Sequence, residues 1–301
     1  MKKKIVIALG GNALLQRGEV LSAENQQRSI QLFARMAAEL ARDYQLVIVH
    51  GNGPQVGLLA LQNAAYSESP TWPLDILVAE SQGMIGCAIA QELMQYAGDT
   101  PVSTLMTRVE VAANDDAFAA PGKYIGPVYP PQQQAELEKR YGWQMKADGG
   151  YIRRVVPSPK PLSIVDSAAI QTLMNAGHLV ICCGGGGIPV VAETHGYRGV
   201  EAVIDKDLTA AALASAINAD HLLILTDADA VYADWGTPQA RPLHHATVAT
   251  LAPFAAPDGA MGPKAEAVIQ FVEHTGNRAF IGALKDAPQI LAGKKGTCVT
   301  R

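Results

Sequence analysis

The chain has 301 residues, 49% of them apolar and 17% charged, with a formal net charge of −4. That composition supplies a large core and excludes a disordered or fibrous chain, and the scattered basic residues exclude a nucleic-acid surface, which needs a concentrated basic stripe. No stretch approaches the roughly 20 apolar residues of a membrane span, so no membrane partner is expected.

Lys2-Lys3-Lys4 opens the chain like a leader, but the apolar run at 5–9 is too short for the core of one and ends in Gly10-Gly11. A cytoplasmic protein is expected. Cys87, Cys182, Cys183 and Cys298 lack CxxC spacing, and the adjacent pair falls in an apolar run at 179–183. Buried, unreactive, reduced thiols are the expectation.

Short apolar runs alternate with helical stretches. The runs at 4–9, 46–50, 102–107, 178–183, 200–204, 221–226, 279–283 and near Cys298 predict strands. The intervals at 23–42, 75–96, 163–175, 207–218 and 264–274 predict helices. This alternation predicts an α/β protein: a three-layer α/β/α sandwich on a mainly parallel, open sheet, forming a single domain over 1–301. One stretch, about 112–161, breaks the pattern with Pro127, Pro130, Pro131, three glutamines at 132–134 and Gly149-Gly150. A loop that long predicts an excursion from the sheet, either a small protruding lid or a plain surface insertion.

Three glycine turns directly follow predicted strands: Gly10-Gly11-Asn12, Gly51-Asn52-Gly53-Pro54 and the run at 184–187. A fourth glycine cluster, around Gly83 and Gly86, falls on a predicted helix. In a parallel sheet the loops beyond the strand carboxyl ends converge, and glycine lets backbone N–H groups approach oxygen atoms. Three such turns on one sheet edge predict a phosphate cradle built mainly from backbone. There is no GxxxxGK[ST] and no GxGxxG after a strand, which disfavours P-loop and nicotinamide enzymes.

Lysines are placed to neutralise phosphate. Lys206 and Lys264 stand at predicted helix starts, where a cation opposes the helix dipole, and Lys123 lies in the excursion. Phosphoryl transfer gives such lysines a purpose, because its catalysis is mostly positioning and charge stabilisation. Asp207 is then a residue that orients the lysines or organises Mg²⁺, or else a plain helix cap. Asp227 and Asp229 follow the 221–226 strand and serve a nucleotide or the turn itself.

Taken together, the segments Ala8-Leu9-Gly10-Gly11-Asn12-Ala13-Leu14, His50-Gly51-Asn52-Gly53-Pro54-Gln55-Val56-Gly57, Arg153-Arg154-Val155-Val156-Pro157-Ser158-Pro159 and Met261-Gly262-Pro263-Lys264, with the runs at 184–189 and 200–207, resemble the carbamate kinases. The resemblance covers the whole chain in consistent order. It implies the amino-acid-kinase fold, a homodimer, and interconversion of ATP and carbamate with ADP and carbamoyl phosphate, with Mg²⁺ accompanying the nucleotide. It further implies that Gly10, Gly11 and Asn12 hold the transferred phosphoryl group, and that Gly51, Asn52 and Gly53 lie near the carbamoyl end. Lys123, Lys206 and Lys264 counter developing charge, and Asp207 organises the lysines. Thr226, Asp227, Asp229 and Tyr232, with Met261 and Gly262, line the nucleotide site.

The chain departs from the family pattern in three places. It reads Asp115-Asp116-Ala117-Phe118 for Asp-Pro-Ala-Phe, Gly122-Lys123-Tyr124-Ile125-Gly126 for Thr-Lys-Pro-Ile-Gly, and Ala260-Met261-Gly262-Pro263-Lys264 for Ser-Met-Gly-Pro-Lys. These changes keep two alternatives open: a kinase of the same fold for another small carboxylate or phosphonate, and a catalytically weak nucleotide-binding regulator.

Overall fold

The structure, a computed structural model, describes residues 2–14, 19–66, 71–255 and 261–301, and the side chains of Asn12 and Ala13 lie outside what it describes. Ala260 also falls outside the described residues. Among the described residues the centre is a sheet of eight strands in the order His245–Thr247, Thr297–Thr300, Arg278–Ala283, His221–Thr226, Lys3–Leu9, Tyr44–His50, Leu179–Ile181 and Val102–Thr104. The six strands from Arg278–Ala283 to Val102–Thr104 run parallel, and Thr297–Thr300 is antiparallel to Arg278–Ala283 and parallel to His245–Thr247.

The strand Lys3–Leu9 explains the layers. Its residues from Ile5 to Leu9 are all fully buried, because side chains alternate between two covered faces. Ile5, Ile7 and Leu9 pack with Ile30 and Phe33 of helix Ala23–Leu40 and Ile85 and Ile89 of helix Leu74–Met94. Val6 and Ala8 face the opposite layer, with Ile170, Leu213 and Phe271 from helices Ser167–Asn175, Lys206–Ala216 and Gly262–Thr275. The result is an α/β/α sandwich on a mainly parallel sheet.

Two expected elements change and one helix is added. Residues 200–204 form no strand. They are an extended connector in which Val200 N donates to Pro189 O and Val203 N to Pro157 O, and Ala202, Val203 and Ile204 are buried between packed elements. A short apolar run reads the same whether it is a strand or a buried connector. The strand expected at 102–107 stops at Thr104, and the chain crosses to a second, four-stranded sheet through Arg108–Val111. The helix Gly53–Ala65 is an addition to the predicted set. Its glycines at 53 and 57 disguise it, although Pro54 suits a first helical turn.

Residues 112–161 also hold regular structure that composition concealed. Strands Lys123–Tyr129, Tyr151–Val156 and Gln144–Asp148 form an antiparallel sheet, with helix Gln134–Tyr141 packed on it. Leu137, Met145 and Ile152 make its small core. This sheet meets the rest of the molecule where Gly126, at φ +70°, lies against Gly57, and a side chain on Gly57 would overlap the Gly126 backbone. The two glycines allow a strand and a helix to approach backbone to backbone.

The local departures from the family pattern fit their surroundings. Asp115 caps the short turn Asp116–Phe118 by accepting from Ala117 N, and Asp116 occupies its first position, where an acid is favourable. The Tyr124 hydroxyl donates to Ala147 O at 2.6 Å, spanning the small sheet. Of the cysteines, Cys182, Cys183 and Cys298 are buried, but Cys87 is exposed on the outer face of helix Leu74–Met94, so the expectation of buried thiols fails there.

Candidate active site

Four neighbouring parallel strands, His221–Thr226, Lys3–Leu9, Tyr44–His50 and Leu179–Ile181, release their loops on the same sheet edge. Gly10 N donates to Leu225 O at 3.1 Å and Gly51 N to Leu9 O at 2.9 Å, so each turn begins as a continuation of the ladder. Together they enclose a cavity of about 200 Å³ lined by Gly10, Gly11, Gly51, Asn52, Gly53, Gly185 and Thr226, and by the charged residues Lys123, Asp205, Lys206, Asp207 and Lys264.

The turn at 184–187 is braced by polar side chains from elsewhere. Gln82, buried on helix Leu74–Met94, donates to Gly184 O and Thr107 O and accepts from Thr107 N. Thr107 Oγ1 accepts from Cys183 N, and Thr209 Oγ1 donates to Gly186 O. Asn52 Nδ2 donates to Ser81 Oγ at 2.8 Å. Gly185, at φ +67°, presses against the Asn52 amide so closely that any side chain there would collide with it. Asn52, at the N-cap position, makes no side-chain cap to helix Gly53–Ala65. Pro54 has no N–H, and Val56 N donates to Asn52 O, so at the start of this helix the Gly53 N–H is the donor at the cavity wall, a favourable place for an anion.

His50 stands under this turn. It is fully buried, and burial holds its imidazole at about 4, opposed by its contact with Gly51 O. The ring is therefore neutral at physiological pH and leaves the positive charge of the site to the lysines.

Those lysines form a chain of ion pairs. Lys123 Nζ lies 2.5 Å from Asp205 Oδ2, Lys206 pairs with Asp207 Oδ1, and Lys264 Nζ lies 3.2 Å from Asp207 Oδ2. Burial pushes Lys206 below its ordinary value despite Asp207, and Lys264 adds to that. For Lys264 burial acts downward too, but Asp207 and Asp205 outweigh it and the ammonium is held above its usual range. Asp205 would be raised by burial, but Lys123, followed by Lys206 and Lys264, drives its carboxyl well below the usual range. Three ammonium groups thus contact two carboxylates in a largely buried crevice, leaving a positive charge that an anion would balance.

The helix cap is Asp205, which accepts from Asp207 N at 2.9 Å and Leu208 N at 3.4 Å. Asp207 is therefore free of capping and holds Lys206 and Lys264 instead. Lys206 occupies the first position of helix Lys206–Ala216, reached from a connector and not from the expected strand.

The structure gathers Gly10, Gly11, Gly51, Asn52, Gly53, Lys123, Lys206, Asp207, Lys264 and Thr226 around one cavity, while the side chain of Asn12 lies outside the described atoms. Asp227, Asp229, Tyr232, Met261 and Gly262 do not line it. Asp227 accepts from Thr226 Oγ1, Asp229 accepts from the Tyr232 hydroxyl, and Met261 and Gly262 open the helix that carries Lys264. The sequence alone assigns no role to Gln82, Thr107 and Thr209, and it does not single out Asp205 as the helix cap and partner of Lys123. Asp205 was visible beside Lys206, whereas Gln82 and Thr107 gave only the weak signal of polar residues within apolar stretches.

Comparison with known proteins agrees with this geometry. The profile of the amino acid kinase family matches residues 3–283. The chain is 59% identical over 298 residues to the carbamate kinase of Escherichia coli (strain K12), covering 99% of each, and 42% identical over 313 residues to that of Thermococcus kodakarensis, again covering 99% of each. The structure of Giardia lamblia carbamate kinase bound to AMP-PNP superposes with a TM-score of 0.89 at 38% identity, covering 99% of this chain and 98% of that one. With its glycine turns, lysine chain and sheet order, the chain belongs to the amino acid kinase family and, within it, to the carbamate kinases.

Proposed function

We propose that the crevice transfers a phosphoryl group reversibly between ATP and carbamate, with ADP and carbamoyl phosphate on the other side. The observation that carries this reading is the convergence of Lys123, Lys206 and Lys264 on Asp205 and Asp207 beside the glycine turns. The attacking oxygen, of carbamate or of the ADP β-phosphate, is already anionic, so no side-chain base is required. What the protein supplies is alignment and charge. In this reading the turns at Gly10 and Gly51 hold the moving phosphoryl group, Lys206 and Lys264 meet its equatorial oxygens, and Asp207 keeps both ammonium groups aimed at it. Lys123 arrives from the small sheet and completes the charge.

Thr226, Asp227, Asp229, Tyr232, Met261 and Gly262 would hold the nucleotide. The Giardia relative bound AMP-PNP, which supports an adenine nucleotide as the second substrate. No group of three or more His, Cys, Asp or Glu among the described residues makes a cage for a divalent cation, and both oxygens of Asp207 are taken by lysines. Mg²⁺ therefore belongs to the nucleotide phosphates in this reading, and no step above is routed through it.

A homodimer, already implied by the resemblance, is also supported by an outer stripe of helix Leu74–Met94, where Ile76, Met84 and Cys87 are exposed at i, i+8 and i+11. Light scattering at micromolar concentration should give twice the chain mass. No helix of the described residues is long and apolar enough to cross a membrane, and the cytoplasm is the proposed location.

The test of the activity is ATP formation from ADP and carbamoyl phosphate, run beside other acyl phosphates. Turnover should be fastest with carbamoyl phosphate. Faster turnover with another acyl phosphate would transfer the site to a different carboxylate, and calorimetric ADP binding without turnover would make it a regulator.

A further inference from the structure

A second cavity, of about 190 Å³, lies away from the lysine chain, between the 123–156 sheet and the start of helix Leu74–Met94. Its walls include Trp72, Arg140, Tyr141, Trp143, Arg154 and Glu201. A smaller adjoining space shares Trp143 and Arg154 with it and adds Tyr129.

Arg154 is the unusual group here. Its side chain is 15% exposed, yet among the described residues it makes only one ion pair, at the long distance of 3.8 Å to Glu201 Oε1, and stacks on Trp143 at 4.7 Å. Burial pushes its guanidinium below the ordinary range, opposed chiefly by Glu201. A guanidinium carries five N–H donors, and a largely buried one is normally matched by acceptors. Glu201 is itself engaged, because its Oε2 accepts from Leu74 N at 2.7 Å and so caps a helix whose preceding Pro73 offers no side-chain cap. Next to Arg154, the Tyr129 hydroxyl is buried and has no hydrogen-bond partner. Arg140, over the Tyr141 ring at 5.0 Å, adds a second guanidinium at the exposed rim.

We infer that this cavity, together with the smaller space that adjoins it at Arg154, is a binding site for a small oxyanion, a carboxylate or phosphate, taken up by Arg154 with Arg140 at the mouth and the Tyr129 hydroxyl reached through the smaller space. An Arg fork and a hydroxyl match such a group. The site ties the small sheet to the body. Arg154 and Tyr129 belong to strands of that sheet, and Glu201 and Trp72 belong to the body. Lys123 begins the strand that ends at Tyr129, so an anion held here steadies the element that presents Lys123 to the first cavity.

The test is fluorescence titration of the full chain carrying Trp235→Phe, which removes the most exposed indole and leaves Trp72 and Trp143 on the cavity wall. Inorganic phosphate and succinate are titrated separately. A saturable change with either supports the site, and which one responds identifies the anion. The change should persist in Lys206→Met, disappear in Arg154→Gln, and show affinity weakened about 5- to 10-fold in Tyr129→Phe, as expected for one lost hydrogen bond. No saturable change with either anion overturns the inference. So does a change that survives in a folded Arg154→Gln protein, or one lost in Lys206→Met, which would assign the anion to the lysine cavity. If Arg154→Gln does not fold, the Tyr129→Phe affinity decides alone, and an unchanged value overturns the proposal.

Discussion

In the central sheet, Ile5, Val6, Ile7, Ala8 and Leu9 are all fully buried, sandwiched between two helical layers. In the 123–156 sheet the independent core is Leu137, Met145 and Ile152, with Tyr129, Tyr141 and Trp143 packed around it, while Ile125 and Val156 join Val56, Leu74, Leu77 and Val78 of the body in an apolar seam. Arg153 Nε donates to Gly126 O at 2.7 Å, Tyr124 reaches Ala147 O, and Lys123 crosses to Asp205. The first region draws its stability from apolar area. The second is attached by a glycine contact, a modest apolar seam and an ion pair, the pattern of elements that open at low free-energy cost. In the proposed reaction the first region would serve as a rigid frame for the turns at Gly10 and Gly51, and the second as the piece that admits substrate and then excludes water.

The difference is broken most directly in the two cores. Phe33→Ala, at a fully buried site on the frame, should cost about 3–5 kcal/mol of global stability. Ile152→Ala should instead speed hydrogen exchange within 123–156 and leave the main denaturation midpoint nearly in place. An equal loss in both variants would make the small sheet part of one cooperative core.

Lys206→Met probes the charge that the frame holds. The apolar stem stays and Asp207 keeps Lys264, so the fold should survive while kcat falls about 10²–10³-fold, roughly 3–4 kcal/mol, with KM for ADP changing far less. Unchanged turnover in folded protein would remove Lys206 from the mechanism, and a large drop in Tm would give it a structural role.

Protonation offers a third test. His50 is neutral in the fold down to about 4, against an ordinary 6.5, so between those values the unfolded chain binds more protons than the folded one. Stability should therefore decline as pH falls from about 6.5 toward 4, with a limiting slope for this group of about 1.4 kcal/mol per pH unit. Urea midpoints measured across that window should show the decline, and His50→Gln should flatten it. An identical slope in the variant would assign the acid sensitivity elsewhere.

Hydrogen exchange offers a further way to separate the regions. Adding ADP should slow hydrogen exchange across 123–156 and leave residues 3–9 as they were, and strong, equal protection of both in either state would argue against a movable lid. The smallest effect belongs to Tyr124→Phe, which removes the bond to Ala147 O at an exposed site. It should cost at most about 1 kcal/mol, visible as faster exchange at 144–148.

Much of this was legible in the residues. The apolar runs placed seven of the central strands, and the glycine turns following three of them located the cavity, because parallel strands must release their loops on one edge. The excursion was recognised by composition, but not its strands, since alternation in Lys123–Tyr129 is broken by Gly126 and Pro127. Residues 200–204 misled because burial by packing and burial within a sheet select the same apolar side chains.

By itself, then, the sequence determined the layer order, the sheet edge where the turns gather, and the lysines that belong there, because these follow from periodicity, glycine chemistry and charge at helix starts. Only the tertiary structure decided which acid caps the helix and which aims the lysines. Asp205 and Asp207 are two residues apart and chemically alike, and the division of labour between them is set by Lys123 arriving across 82 positions of sequence and Lys264 across 57.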